Sequence, residues 1–337
     1  MEIIDMNGAI KTYVDFLRCR IKNVKVLVVG DIMLDRYFFG TASRISPEAP
    51  VPVNLVKRKK DTLGGAANVA HNLAKLNCKT YLIGMMCDDH HGHLLEREME
   101  NEQINAKGIV LGSKPTTTKV RILGGHQQMI RVDFEESAPI DQADEKKLQD
   151  SVNEILSHDI QAVIISDYGK GICTKELCHF IIQNAKASGI PVFVDPKGNK
   201  WEKYAGASYI TPNVKEASEA LSRFIDNDKE KDIKEAAEAI QINYNIENVM
   251  ITRSERGLSL FTKKNSFTIP TISQEVFDVS GAGDTVISVF ASAIGGGLEA
   301  EAAAELANFA AGIEVGKLGT YAVSNSEIIA KLAEIAE

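Results

Sequence analysis

The chain has 337 residues, and at roughly 100–200 residues per domain this length predicts one large domain or two modest ones. Its 38 Lys and Arg residues against 46 Asp and Glu residues give a net charge of −8, which argues against a general affinity for nucleic acids or anionic membranes. The hydrophobic fraction of 44% and the charged fraction of 25% are ordinary for globular proteins and argue against a disordered, fibrous or membrane-embedded chain. An anionic substrate would therefore need a local cluster of basic residues.

The N-terminal residues 1–7 (MEIIDMN) carry acids where a secretion signal carries Lys or Arg, and no segment reaches the roughly 18 apolar residues of a membrane-spanning helix. We expect a cytoplasmic protein. The five cysteines are an odd number, are scattered and form no CxxC pair, so neither a disulfide framework nor a zinc site is predicted.

Short apolar runs alternate with helical patterns along the chain. The predicted strands lie at 25–29, 80–86, 162–166, 192–195, 208–211 and 248–252. The predicted helices lie at 66–77, 141–157, 226–241, 299–315 and 324–336. This alternation is typical of an α/β fold with a largely parallel central sheet flanked by helices.

Two segments break the alternation. Residues 36–60 contain three prolines and no helical period, and residues 116–135 form two strand patterns around a Gly-Gly turn. We expect them to form a small β lid over the main sheet. The basic run 57–60 has no interleaved aromatic residues, which favours a solvated strand edge over a nucleic-acid patch. Because no flexible linker or repeat is present, we expect a single domain over residues 1–337.

Two polar motifs lie in the first quarter of the chain. The segment 30–35 (GDIMLD) follows the first strand and puts Asp31 and Asp35 where α/β proteins bind ligands. Gly64, Gly65 and Asn68 open the helix at 66–77; paired glycines allow a ligand to approach the backbone, and an Asn side chain can both donate to and accept from sugar hydroxyls. A glycine turn before a helix explains the second motif equally well.

Two further motifs follow later strands. In the segment 211–216 (TPNVKE), Asn213 and Glu216 lie three residues apart and could hold a hydrated Mg²⁺ near phosphates. A helix N-cap with its Glu partner is an equally good interpretation. The segment 252–257 (TRSERG) offers small polar residues to a nucleotide, although a plain hairpin turn also explains it.

The segment 278–284 (DVSGAGD) precedes an apolar helical run and carries the strongest chemical signal. Backbone N–H groups at such a glycine-rich helix start converge on one point, where the helix dipole adds about half a positive charge. Asp284 in the first turn would lie beside the bound anion and could accept a proton from an attacking hydroxyl. The alternative is an ordinary glycine-rich cap with an acid favoured by the dipole.

In their order along nearly the whole chain, these five motifs resemble those of the ribokinase-like (PfkB) carbohydrate kinases. The resemblance implies a kinase that uses ATP and Mg²⁺, with Asp284 as the base and the backbone of Gly281, Ala282 and Gly283 as the anion hole. The implied ATP-site residues are Asn213, Val214, Lys215, Glu216, Thr252, Ser254 and Gly257, with Asn213 and Glu216 holding Mg²⁺ through water. The implied sugar-site residues are Asp31, Asp35, Gly64, Gly65, Asn68, Arg131 and Lys170. Asp278 and Ser280 fall where members of the family often bind a monovalent cation such as K⁺; Ser280 replaces the usual Thr and keeps its hydroxyl.

Within that family, the segments 43–53, 127–136, 166–171 and 195–198 resemble the heptose 7-phosphate kinases of lipopolysaccharide core synthesis. The resemblance implies phosphorylation of D-glycero-β-D-manno-heptose 7-phosphate at its anomeric C1 hydroxyl to the 1,7-bisphosphate, a step toward ADP-heptose. A substrate that already carries a phosphate requires cations in the sugar pocket. The candidates in the lid segments are Arg36, Arg44, Lys119, Arg121 and Arg131.

Many such kinases are fused to a C-terminal adenylyltransferase domain. No HxGH-type nucleotidyltransferase motif follows the kinase motifs in this sequence, so we expect either a stand-alone kinase or a domain excised from a longer protein, with a separate heptose 1-phosphate adenylyltransferase as its functional partner. The exposed edges of the lid strands predict a homodimer.

Three alternatives stay open at this point. The same fold could phosphorylate another sugar, sugar phosphate or nucleoside. The chain could bind a sugar or a nucleotide without catalysis, which would give binding without ADP release. It could be an NAD-dependent dehydrogenase, but the dinucleotide fingerprint is missing.

Overall fold

A computed structural model describes residues 6–125, 127–271, 276, 278–317 and 320–336. The strands are β1 (Lys25–Gly30), β2 (Ile32–Ile45), β3 (Pro52–Gly65), β4 (Lys79–Met86), β5 (Asn105–Leu111), β6 (Thr118–Gly124), β7 (Gln127–Phe134), β8 (Ala162–Ser166), β9 (Val192–Asp195), β10 (Tyr209–Ile210), β11 (Asn248–Thr252), β12 (Leu258–Phe261) and β13 (Ser266–Ile269). The helices are α1 (Met6–Asp15), α2 (Ala66–Lys75), α3 (His90–Asn101), α4 (Gln142–Leu156), α5 (Lys175–Ala187), α6 (Val214–Ala220), α7 (Glu230–Tyr244), α8 (Ala282–Gly295), α9 (Ala300–Glu314) and α10 (Asn325–Ala336).

The large sheet has nine strands in the order β13-β12-β11-β10-β9-β8-β1-β4-β5. Neighbouring strands are parallel except that β12 runs antiparallel to both β11 and β13. The predicted α/β class with a largely parallel sheet is confirmed. The sequence predicts no strand at β5, β12 or β13, which lie at the two ends of the strand order.

Each central strand packs helices on both of its faces, as parallel sheets require. In β1, Val26 and Val28 belong to one core cluster, formed with α1, α2, α8, α9 and α10. Leu27 and Val29 point the other way, into a second cluster formed with α4, α5, α6 and α7. Because alternate side chains of β1 point into the two core clusters, β1 is a continuous apolar run.

The second sheet has four strands in the order β3-β2-β6-β7. The segments expected in the lid, 36–60 and 116–135, lie in it, but β2 already begins at Ile32 and β3 ends only at Gly65. The long strands β2 and β3 are buried where they join the large sheet and exposed at their far ends. The prediction of a single domain over residues 1–337, without an adenylyltransferase, stays a prediction.

The loops at the carboxyl ends of β1, β8, β9 and β11 come together below this second sheet, at the edge where parallel α/β sheets bind ligands. The N-termini of α2, α6 and α8 begin at the same edge. In the described ranges, no helix combines the length and the apolar character needed to cross a bilayer.

Candidate active site

Asp284 lies in the first turn of α8, is 4% exposed, and is held by two hydrogen bonds. The hydroxyl of Tyr168, from the loop after β8, donates to its Oδ1 at 2.7 Å. The Nδ2 of Asn68, from the first turn of α2, donates to its Oδ2 at 2.7 Å. Two residues from distant parts of the chain therefore fix the orientation of this carboxylate.

Burial raises the pKa of Asp284 to about 6, because a charge in this position loses its hydration. The hydrogen bonds from Asn68 and Tyr168 oppose that effect, while the charge of Asp35 raises the pKa and that of Lys119 lowers it. Near neutral pH the carboxylate is mostly ionised but only weakly hydrated. These are the properties of a general base.

The start of α8 forms an anion-binding corner. Gly281 caps the helix with a φ of +100°, a conformation that glycine adopts at little cost. A Cβ at Gly281 would lie 2.5 Å from Glu314 Oε1, whereas one at Gly283 would meet nothing within 4 Å. The first N–H groups of a helix have no intrahelical acceptor, and that of Ala282 reaches Val279 O only at 3.4 Å. The corner can therefore stabilise charge on a transferred phosphoryl group.

A cleft of about 210 Å³ opens directly onto this corner. Its lining residues come from the ends of the central strands and from the starts of α6 and α8: Asp167, Tyr168, Asp195, Pro196, Lys197, Thr211, Asn213, Glu216, Thr252, Gly281, Gly283 and Asp284. The cleft is predominantly polar and adjoins the carboxylate of Asp284. Its position and lining suit the phosphates of a nucleotide.

Asn213 and Glu216 form a capping box at the start of α6. The N–H of Glu216 donates to Asn213 Oδ1 at 2.9 Å, and the N–H of Asn213 donates to Glu216 Oε2 at 3.2 Å. Lys197 pairs with the other oxygen of Glu216 at 3.1 Å. The capping interpretation is thus confirmed, and both side chains nevertheless line the cleft, where they could hold Mg²⁺.

Asp195, at the end of β9, adds a third carboxylate to the same cleft. Loss of hydration, together with the charges of Asp284 and Glu216, raises its pKa well above the ordinary value. Crowded carboxylates attract a hard divalent cation such as Mg²⁺, which is bound by oxygen ligands. The sequence analysis used Asp195 only as part of a resembling segment and did not assign it to the site.

The other residues predicted for ATP lie differently. Thr252 ends β11, pairs with Asn213 in a bridge and lines the cleft. The side chain of Lys215 is 84% exposed and lies 3.8 Å from Glu219. Val214, Lys215, Ser254 and Gly257 are not part of the cleft lining. The structure therefore brings only Asn213, Glu216 and Thr252 of this set to the corner beside Asp284.

Arg253, which the sequence analysis passed over, is the buried support of the 252–257 turn. It is 1% exposed, and its guanidinium donates to Glu230 Oε1 at 2.7 Å, Ser259 Oγ at 3.0 Å and the carbonyl of Asn227 at 2.7 Å. No sequence signal marks this role, because arginine is usually at the surface.

Asp35 on β2 lies close to Gly64 on β3, although the two are not direct partners in the strand register. Asp35 is 5% exposed and accepts a hydrogen bond from Arg121 Nη1 at 2.5 Å. A Cβ at position 64 would lie 2.8 Å from Asp35 Oδ2, so Gly64 makes room for this carboxylate. Gly65 has a φ of +58°, and a Cβ there would lie 2.3 Å from the carbonyl of Asp31.

Asp31 holds the loop that carries Tyr168. Its carboxylate is 1% exposed and accepts three backbone N–H groups, from Tyr168 at 2.8 Å, Lys170 at 3.0 Å and Ile172 at 3.1 Å. Asp31 therefore positions this loop, and its predicted contact with the sugar stays a prediction.

The lid cations divide between the two faces of their sheet. In the strand register, Lys119 lies beside Asp35, and Arg121 lies opposite Arg131. Residues paired in this way share a face, and Arg121 on this face contacts Asp35. We call this side the inner face of the lid. Arg36, one position along β2, lies on the outer face and pairs with Asp61 at 2.7 Å.

The predicted substrate cations have different partners. Arg131 forms a bidentate pair with Asp133, with both N–O distances at 2.9 Å. Lys170 pairs with Glu135 at 2.8 Å. Among the described residues, Lys119 has no carboxylate within 4.0 Å, and its Nζ lies 5.8 Å from the centre of the Tyr168 ring. On the lid side, the ring of Tyr168 thus faces the ammonium group of Lys119. The hydroxyl of Tyr168 donates its hydrogen bond to Asp284.

Asp278 and Ser280 form the turn before α8. The N–H of Ser280 donates to Asp278 Oδ1 at 2.9 Å, and the N–H of Asp278 donates to the carbonyl of Val315 at 3.3 Å. The predicted monovalent cation at these residues stays a prediction.

The sequence is similar to a known protein family and to individual relatives. The family model described as pfkB family carbohydrate kinase matches residues 23–327. The bifunctional protein HldE of Actinobacillus succinogenes is 46% identical over 309 residues, covering 91% of this chain and 63% of that protein. The bifunctional protein HldE of Methylobacillus flagellatus is 44% identical over 306 residues, covering 90% of this chain and 62% of that protein. The chain thus spans less than two thirds of the length of these relatives.

Solved structures with the same fold are more distant in sequence. Ribokinase of Arabidopsis thaliana, complexed with ribose and ATP, superposes with a TM-score of 0.71 at 20% identity, covering 92% of this chain and 98% of that one. The tetrameric inhibited form of Escherichia coli phosphofructokinase-2 gives a TM-score of 0.77 at 17% identity, covering 93% and 100%. These likenesses establish the ribokinase-like fold, and together with the family match they show that the chain belongs to the pfkB family of carbohydrate kinases.

Proposed function

We propose that this chain transfers the γ-phosphoryl group of ATP to the anomeric C1 hydroxyl of D-glycero-β-D-manno-heptose 7-phosphate. The observation that carries the proposal is Asp284, a buried carboxylate held by two donors beside a helix N-terminus. The sugar oxygen forms a bond to the γ-phosphorus as the bond to the bridging oxygen of ADP breaks, and Asp284 takes the hydroxyl proton. The products are the 1,7-bisphosphate and ADP.

The inner face of the lid supports a phosphorylated acceptor. The pKa of Lys119 is lowered by its burial and by the nearby charges of Lys170, Arg121 and Arg131, although Asp35 opposes the effect. Such crowding of like charges is relieved by a dianion. The relatives named bifunctional protein HldE, at 41–46% identity, support heptose 7-phosphate as that acceptor.

The cofactors follow from the same cleft. Asn213, Glu216 and Asp195 would hold Mg²⁺, which neutralises the charge of the ATP phosphates. Asp284 and the anion-hole backbone remain this chain's own contribution to the transfer. The turn at Asp278 and Ser280 is the proposed position of a monovalent cation, K⁺.

The proposed setting is the cytoplasm, where ATP is available. A heptose 1-phosphate adenylyltransferase would act later on the same route, and here we propose it as a separate activity from that of the single kinase domain. A homodimer is favoured by the edge strand β7, where Ile130, Val132 and Phe134 are 52%, 38% and 46% exposed.

The test is ADP release with Mg–ATP over a panel of heptose 7-phosphate, heptose, ribose, fructose phosphates and adenosine, with the product identified by ³¹P NMR. We expect turnover to be confined to heptose 7-phosphate and the new phosphorus signal to belong to C1. Turnover on another acceptor would keep the kinase and reject this substrate. Binding of ligands without any ADP release would reject the kinase activity altogether.

A further inference from the structure

Asp35, on the inner face of the lid, lies near the catalytic base and is bound by an arginine. It is 5% exposed, and Arg121 Nη1 donates to its Oδ1 at 2.5 Å. Among the described residues, no donor reaches its other oxygen, Oδ2. The charge of Asp35 raises the pKa of Asp284, so the two carboxylates lie close enough to interact. A sugar whose reacting hydroxyl lies at Asp284 would therefore place other hydroxyls near Asp35.

Arg121 is the group that competes with such a sugar for Asp35. The carboxylate accepts one N–H of the guanidinium, whose carbon lies 5.2 Å from the centre of the Tyr37 ring. Arg36, on the outer face, instead uses two nitrogens to pair with Asp61, at 2.7 and 3.3 Å. A guanidinium has five N–H donors and can hold two oxygens of one partner. The pair with Asp35 therefore leaves donors of Arg121 available to a second anion.

The neighbouring charges on the inner face indicate which anion fits. In the strand register, Lys119 lies beside Asp35, and Arg121 follows two residues later on β6, a distance of about 6–7 Å along the strand. Arg131 already has both oxygens of Asp133 as its partners. The long side chains of Lys119 and Arg121 can converge on the oxygens of one phosphate group.

We propose that the phosphate of the acceptor draws Arg121 away from Asp35, and that the released carboxylate then accepts a hydrogen bond from a sugar hydroxyl. This inference rests on the proposed kinase function. A phosphate dianion carries the higher charge and can accept two N–H groups of the guanidinium, whereas Asp35 accepts one. Arg121 is therefore a specificity-determining residue, because it keeps Asp35 occupied until a phosphorylated acceptor binds.

A sugar without a phosphate has to separate Arg121 from Asp35 with its hydroxyls alone. The separation is unfavourable, because it leaves a buried carboxylate and its arginine without their counterions. An acceptor with a phosphate supplies the replacement anion itself. Phosphate binding and sugar binding are thus coupled, and each must strengthen the other by the same factor.

The test measures the dissociation constant of unphosphorylated heptose by isothermal titration calorimetry, in sodium phosphate and in sodium chloride at equal ionic strength, without nucleotide. Free phosphate should bind Arg121 as the acceptor's phosphate does. For the wild type we therefore expect heptose to bind at least about fivefold more tightly in phosphate. Arg121→Gln should bind heptose equally in the two salts. Arg36→Gln is the matched control, since it breaks the outer-face pair with Asp61 and should keep the phosphate effect.

Equal heptose binding by the wild type in the two salts would overturn the proposal. An undiminished phosphate effect in Arg121→Gln would overturn it as well, because the phosphate would then act from another site. Should Arg121→Gln fail to fold, Asp35→Asn is the second variant: it lacks the ion pair, so its weaker heptose binding should be insensitive to phosphate.

The same titrations separate this inference from the proposed function. If the wild type binds no heptose in either salt, the proposed acceptor is rejected, and the exchange at Asp35 is rejected with it. Heptose binding that phosphate leaves unchanged rejects only the exchange, and the proposed kinase reaction stands.

Discussion

The two sheets of this protein differ in how far their strands are buried. The strand β8 of the large sheet is buried at every position, whereas β7 of the lid is almost entirely exposed. The large sheet ends in loops that bring Asp284, Tyr168 and the nucleotide cleft together. The lid presents Lys119, Arg121 and Arg131 on its inner face. Under the proposed function, the difference suggests a division of labour in which the rigid apolar sheet fixes the transfer geometry and the exposed lid sheet binds the acceptor.

This division between the two sheets can be tested with variants of each sheet. Changes at the large sheet should reduce transfer to every acceptor by the same factor, because they alter the reacting groups. Changes on the inner face of the lid should raise KM for phosphorylated acceptors and spare the others. Variants of the two sheets should therefore separate an effect on the transfer rate from an effect on KM for phosphorylated acceptors.

The largest effect is expected for Asp284→Asn. Removing the base should lower kcat by at least about 10²–10³ for all acceptors, a loss comparable with that of one oxyanion-hole donor. The folded-state pKa of Asp284 is raised to about 6, so the stability this group confers at low pH is lost as the pH rises through 6. At pH 8 the variant should therefore have a Tm equal to or above that of the wild type, because it lacks the penalty of about 3 kcal/mol for a buried charge.

Activity assays and thermal unfolding of the same preparation check both parts. A Tm well below that of the wild type would show that Asp284 is needed for folding, and the loss of activity would then say nothing about a base.

The next effect is expected for Gly281→Ala. Its φ of +100° and the 2.5 Å contact of a Cβ with Glu314 Oε1 should strain the corner by about 1–3 kcal/mol. We expect a lower Tm and a loss of turnover with every acceptor. Gly283→Ala is the matched control, because its Cβ meets nothing within 4 Å: it should keep Tm, and any loss of activity would come from the cleft alone. Equal Tm values for Gly281→Ala and the wild type would contradict this description of the corner.

Lys119→Met should act chiefly on phosphorylated acceptors, with a smaller effect on all acceptors because Lys119 also lowers the pKa of Asp284. A charge-assisted hydrogen bond contributes about 1.5–3 kcal/mol, which corresponds to a rise of roughly 10–100-fold in KM. Lys59→Met is the control, because its side chain stands over Phe38 on the outer face of the lid. A similar loss with Lys59→Met, or a loss in kcat alone, would remove the lid from acceptor recognition.

The smallest effect is expected for Tyr168→Phe. Since its hydroxyl lowers the pKa of Asp284, its removal should move the acid limb of the kcat/KM profile from near pH 6 to higher pH. Below that limb the base is protonated and the rate falls. Tyr321→Phe, which loses only a hydrogen bond to Glu327, should leave the limb in place. An unshifted limb in Tyr168→Phe would mean that Tyr168 does not act on the base.

Much of the fold and part of the site can be predicted from the sequence. The central strands are apolar runs with sharp ends. The glycine-rich start of α8 is a local pattern that predicts an anion-binding helix N-terminus. Contacts between distant segments carry no such signal. Tyr168 donates to Asp284, and Asp31 supports the loop that carries Tyr168. Both contacts depend on how β1, β8 and α8 pack together, and no local sequence pattern predicts that packing.

The same limit explains the other misses. From the sequence, Arg253 is expected at the surface. Its burial is tolerated because Asn227, Glu230 and Ser259 accept hydrogen bonds from its guanidinium. Asn213 and Glu216 show the opposite case, because one local pattern serves as a cap and lines the cleft.

The most direct test of the division between the two sheets is the ratio of kcat/KM for heptose 7-phosphate to kcat/KM for heptose, measured in the wild type, Asp284→Asn and Lys119→Met. We predict a large ratio in the wild type, the same ratio at much lower rates in Asp284→Asn, and a ratio reduced roughly 10–100-fold in Lys119→Met. A ratio near one in the wild type, or one that Lys119→Met leaves unchanged, would contradict recognition of the acceptor phosphate by the lid.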